Sequence, residues 1–150
     1  PVLWAEGNQL TAEYIEIATR NRKVDRMYLY QMAFIVNMAD SVKFNQIKGR
    51  DMICYFRNNE LYKIDVMGNG ESVYYLVDED DMIGVNRLQS SNIVIFWADG
   101  EVQSIKSYPS PNATLYPLDE IPETESKLRD FKWLEEYRPE SKYEIFYWTE

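Results

Sequence analysis

Residues 47–66 read IKGRDMICYFRNNELYKIDV, and the pattern of this stretch stands twice more in the chain. Residues 10–29 read LTAEYIEIATRNRKVDRMYL, and residues 88–107 read LQSSNIVIFWADGEVQSIKS. The three align without a gap. Leu10, Ile47 and Leu88 coincide, as do the small residues Ala12, Gly49 and Ser90. The alternating pairs Ile15/Ile17, Met52/Cys54 and Ile93/Ile95 follow, then the polar pairs Asn21-Arg22, Asn58-Asn59 and Asp99-Gly100. Val24, Leu61 and Val102 come next, with Met27, Ile64 and Ile105 behind them. Recurrence at a period of roughly 40 residues marks one supersecondary unit stacked on copies of itself.

The unit reads as a hairpin. Its alternating segments are rich in β-branched and aromatic residues, which suit a pleated surface. Asn, Asp and Gly at the aligned centre tolerate the positive φ of a tight turn. Alternation breaks twice in each copy. Leu10 to Ile15, Ile47 to Met52 and Leu88 to Ile93 are steps of five, with the aligned small residue inside the step. Val24 to Met27 and its equivalents are steps of three. A strand that bends or bulges at such a point changes which side faces inward. Stacked corners of this kind enclose an apolar interior.

The remaining bounds come from composition. A chain of 150 residues makes one domain with a sizeable core. No run approaches the roughly 18 apolar residues of a membrane helix, so the chain is read as not membrane-spanning. A formal net charge of −9 argues against nucleic acid, which is bound mainly through cations on phosphate. Cys54 is the single cysteine, which excludes an internal disulfide and leaves the compartment open. Pro1 carries neither an initiator Met nor a signal pattern, as expected of a processed protein or an excised piece.

In chain order, residues 1–117 form the β repeat domain, with a short edge strand expected at Val2-Leu3-Trp4. Residues 68–70 read as a turn and residues 78–81 as an acidic loop. Residues 118–150 are a tail packed on the same domain. A short helix is expected there at 123–138, with Pro122 at its start, Pro139 past its end and an apolar stripe of Leu128, Phe131, Leu134 and Tyr137. The stripe needs a surface, and the expected one is an end of the β body. Any head-to-tail partner is then left the edge near Val2–Trp4 and the first unit.

Much chemistry is excluded. The chain has no His, so Ser-His-Asp and Cys-His catalysis and His metal ligation are ruled out. Phosphate-loop, dinucleotide and nucleophile-elbow motifs do not occur. The run Asp78-Glu79-Asp80-Asp81 lacks the spaced ligands and central Gly of a calcium loop and reads as solvated. Asn112-Ala113-Thr114 is a glycosylation sequon, without meaning in a bacterial protein. No catalytic residue, metal or cofactor is assigned.

The repeat places Ile15, Ile17, Met27, Leu29, Met52, Cys54, Phe56, Ile64, Val66, Ile93, Ile95, Trp97 and Ile105 on related faces. They form either an ordinary β core or an open apolar groove suited to acyl chains, and periodicity does not separate the two. Arg20, Arg22, Lys23 and Arg26 form a basic cluster in an acidic chain, either a solvated hairpin tip or a contact for anionic head groups.

The recurring motif L-x-[AGS]-x-x-[IM]-x-[IC], followed by a turn, resembles the OstA-like family, the LptA and LptD N-terminal group of lipopolysaccharide transport proteins. FNQIKGRDM at 44–52, LYKIDV at 61–66, GNG at 68–70 and ATLYP at 113–117 are similar to longer OstA-like proteins of Gram-negative bacteria. FKWL at 131–134 and Arg138-Pro139 match that branch too. The resemblance implies an all-β jelly-roll folded like a taco, built from stacked antiparallel hairpins. It implies a periplasmic, outer-membrane-associated carrier of lipopolysaccharide or a related glycolipid, with lipid A acyl chains in the apolar interior. It implies no enzyme, and partners that are other lipopolysaccharide-transport proteins or further copies joined by strand edges. Two other functions fit the repeat: a β-solenoid that binds a protein by its edge without lipid, and a carbohydrate-active enzyme using paired carboxylates. A solvent-open groove points to the first function, a closed core with a free edge to the second, and a cleft of converging carboxylates to the third.

Overall fold

Two-residue turns set the architecture. Asn21-Arg22 and Asn58-Asn59 adopt positive φ (52° and 65°, 52° and 62°), the conformation that joins twisted antiparallel strands most tightly. Asp99 does the same at 54°, while its partner Gly100 lies outside the described residues. Two further turns of this kind occur where none was expected. Glu6-Gly7 splits the lead-in, and Glu79-Asp80 turns the acidic loop into a hairpin tip.

The structure is a computed structural model that describes residues 1–99, 101–109 and 112–139. Its strands are β1 (Val2–Ala5), β2 (Asn8–Thr11), β3 (Tyr14–Arg20), β4 (Lys23–Met38), β5 (Phe44–Arg57), β6 (Glu60–Asp78), β7 (Asp81–Ala98), β8 (Glu101–Tyr108) and β9 (Asn112–Pro117). They form one antiparallel sheet in the order β1-β2-β4-β5-β6-β7-β8, with β3 on β4 and β9 on β7. The fold is therefore all-β, as expected from the repeat.

Strands β4 to β7 are long because each crosses a fold line. The first half of β4 pairs with β3 and its second half with β2. Likewise β7 pairs with β9 through its first half and with β8 through its second. Along the line the register slips at Tyr30/Ala33, Lys48/Asp51 and Met67/Gly70. Gln31, Met32, Gly68 and Asn69 take positive φ there. The small residues face each other across it, Ala33 opposite Gly49 and Gly70 opposite Ser90. They give the corner room: a Cβ on Gly49 would collide with Val66 Cγ1. The Asp51 carboxylate accepts from the Gln31 N–H at 3.0 Å and from Arg50 Nε at 2.9 Å, which pins the bend in β4.

The open sheet thus folds over on itself as two facing halves. The distal half holds β3, β8 and the parts of β4 to β7 near the Asn21, Asn58 and Asp99 turns. The proximal half holds β1, β2, β9 and the other parts. Leu3, Leu10, Ile35, Ile47 and Leu88 of the proximal half share one buried cluster with Met27, Met52, Ile64 and Ile93 of the distal half. The copies' aligned positions become a row across six strands: Ile17, Met27, Cys54, Ile64, Ile95 and Ile105 are successive partners.

Cys54 lies fully buried in this row, where burial and then the Asp65 charge push its thiol well above the ordinary range. Its reaction with a thiol reagent is expected to be slow in the folded protein and fast in denaturant. Equal rates in both would place it on the wrong face.

The expected tail helix at 123–138 is not formed. Two single 3-10 turns, Glu123–Glu125 and Glu135–Tyr137, flank irregular chain with a turn in which the Phe131 N–H donates to the Leu128 carbonyl at 3.1 Å. Distance explains the difference. Arg87 on β7 holds the Glu125 carbonyl and carboxylate, while Trp133 meets Trp4 on β1 ring to ring at 5.0 Å. Five strand spacings separate β7 from β1, about 24 Å. Eight residues span about 12 Å as a helix, about half of that distance. The tail therefore runs as a strap over the outer face of the proximal half rather than against an end. Leu128 is buried there with Phe34, Val36, Val73, Tyr75 and Val85, and Phe131 and Trp133 pack beside it. Leu134 meets that face through its backbone N–H, held by Gln9 Oε1 at 2.6 Å. Gln46 serves as a backbone partner for the strap: Oε1 accepts from Leu128 N–H at 2.7 Å and Nε2 donates to the Ser126 carbonyl at 2.9 Å.

Candidate functional site

Between the facing halves lies the apolar interior. Ile15, Met27, Leu29, Met52, Cys54, Phe56, Ile64, Val66, Ile93, Ile95 and Trp97 are all at most 7% exposed. Ile105 is half-buried against the same cluster. Ile17 departs from the group at 37% exposure, because β3 is an edge strand with a neighbour on one side only. The space lined by Ile35, Ile47, Ile95, Trp97 and Ile105 is about 10 Å³, room for about one water.

The mouth of the fold lies opposite the fold line, where the turns of both halves end. An open cavity of about 760 Å³ separates Asn37, Asn45 and Tyr74 of the proximal half from Trp97 and Val102 of the distal half. Glu6, at the β1–β2 turn, reaches across and accepts the Leu61 N–H at 3.2 Å. Burial pushes the Glu6 carboxyl up, the Leu61 hydrogen bond offsets part of this, and Glu60 adds to the rise.

The basic cluster does not converge. Arg20, Arg22 and Lys23 sit exposed at the tip of the β3–β4 hairpin, where Lys23 reaches Asn58 Oδ1 at 3.4 Å. Arg26 points to the outer face, over the Tyr55 ring at 4.9 Å and beside Asp25. It stands apart from a head-group site with the other three.

The accessible edges also differ from expectation. No residue of β1 exceeds 4% exposure, so the edge at Val2–Trp4 is not on offer. Edge β3 carries exposed Tyr14 and Ile17, and edge β9 is exposed nearly throughout. Among the described residues no helix is long and apolar enough to cross a membrane.

Sequence reading missed one group at the mouth. Asn8, Asn37 and Asn45 form a hydrogen-bonded ladder across β2, β4 and β5. Each stands two residues from an inward apolar residue, Leu10, Ile35 and Ile47. That spacing was the available signal. No family model, curated protein or solved structure matches the chain.

Proposed function

We propose that the chain is a non-enzymatic carrier module for lipopolysaccharide or a related glycolipid. It works in the periplasm of a Gram-negative cell toward outer-membrane assembly and joins its neighbours by strand edges. One observation carries this reading: apart from contacts at the mouth such as Glu6 to the Leu61 N–H, the described halves are joined through the bent strands, and their apolar faces meet by side-chain packing. Such faces can part at the mouth and admit acyl chains. Each methylene then buried gains about 0.8 kcal/mol, which offsets the packing given up between the halves. Edges β3 and β9 supply the pairing surface for neighbours.

The small space left beside Ile35, Ile47, Ile95, Trp97 and Ile105 favours a second reading, an edge-binding module that carries no lipid. Native mass spectrometry of the protein purified from a Gram-negative host separates them. The carrier reading expects adducts of glycolipid mass that dissociate as lipid. A chain that is lipid-free in every charge state, yet co-purifies with a protein lost on blocking β3, supports the second.

A further inference from the structure

We propose that the mouth is a binding subsite for an uncharged, hydroxyl-rich sugar head, and that it discriminates against a phosphorylated one. This rests on the carrier reading and adds the chemistry of the head group. The hydrogen bonds of the Asn ladder leave part of its capacity unused. Asn8 Nδ2 donates to the Ala5 carbonyl at 3.1 Å, and Asn8 Oδ1 accepts from Asn37 Nδ2 at 2.9 Å. Asn37 Oδ1 accepts from Asn45 Nδ2 at 3.0 Å, and Asn45 Oδ1 accepts from the Tyr75 N–H at 2.8 Å. A carboxamide has two N–H donors and two acceptor lone pairs. Among the described residues, each Asn therefore keeps one donor and one acceptor unused, and Asn8 does so at 6% exposure.

A row of unused donor–acceptor pairs matches hydroxyl groups, each of which donates and accepts. Trp97 and Val102 form the facing wall, where the apolar C–H face of a pyranose can rest. The volume of about 760 Å³ lies within the roughly 300–1,000 Å³ of ordinary ligand sites. Charge excludes the alternative head. Among the described residues, Glu6, Glu79 and Asp80 line the mouth against the single cation Arg138, so a phosphate would enter a field of its own sign.

The test is an NMR titration of the whole chain. The probes are N,N′-diacetylchitobiose, a soluble neutral disaccharide, and N-acetylglucosamine 1-phosphate. The readouts are the side-chain amides of Asn8, Asn37 and Asn45 and the Trp97 indole N–H. The neutral sugar is expected to shift these signals with millimolar affinity, and the phosphate to bind at least tenfold more weakly. Asn37→Leu should abolish the shifts at Asn8 and Asn45. No shift with the neutral sugar, or tighter binding of the phosphate, overturns the proposal on the unaltered chain, whatever the variant does. Displacement of a fluorescent fatty acid in the same samples reports on the interior separately. Fatty-acid binding without sugar binding removes the subsite and keeps the carrier. Sugar binding without fatty-acid binding does the reverse.

Discussion

Deleting residues 118–150 is expected to convert the protein into a self-associating, strongly destabilised species. The strap buries Leu128 and packs Phe131 and Trp133 on the outer face of the proximal half. Each such side chain contributes about 1.5–3 kcal/mol, so the loss is on the order of 5 kcal/mol, a large share of a domain's stability. The newly bared face carries Phe34, Val36, Val73, Tyr75 and Val85. The deletion also strands Gln9 and Gln46, whose carboxamides bond the strap's backbone. Sedimentation across a concentration series should show association of the shortened chain, and its thermal midpoint should fall by more than about 10 °C. A monomer with an unchanged midpoint contradicts the strap.

Gly70→Ala is expected to cost about 3 kcal/mol despite adding a single methyl. Its Cβ would stand 2.9 Å from two side-chain carbons of Ile93 and 2.9 Å from the Ser90 carbonyl oxygen. Ile93 is fully buried, and the carbonyl belongs to the paired strand, so neither gives way without breaking the corner. Ser90→Ala, at the partner position, removes one exposed hydroxyl and should cost less than about 1 kcal/mol. Urea unfolding of the two variants checks the difference. Equal losses would mean that the corner is not sterically tight.

These positions also show what the sequence made legible. Gly49 and Ser90 marked the corner in advance, because a small residue inside a break of alternation has few other uses. Asn58-Asn59 marked a turn because two adjacent asparagines tolerate positive φ. Residues 78–81 hid theirs, since four acids in a row read first as solvated charge. Ile17 shared the period of Cys54 yet lies at an edge, and periodicity carries no information on which unit is terminal. The tail failed for a related reason. Leu128, Phe131 and Leu134 fit a helical stripe, but the span from Arg87 to Trp4 decides the conformation, and that span exists only once the sheet has folded. The Asn ladder escaped notice because asparagine in a β protein signals turns before it signals an inward polar row.

Site-specific photo-crosslinking in Gram-negative cells tests the central claim most directly. A photoreactive residue at Val102 or Ile105 of β8 faces the interior near the mouth, and one at Lys106 of β8 or its β7 partner Val94 faces outward. The carrier account predicts glycolipid adducts from Val102 and Ile105 and none from Val94 or Lys106. Equal lipid labelling from both faces, or labelling of protein alone from all four positions, would contradict it.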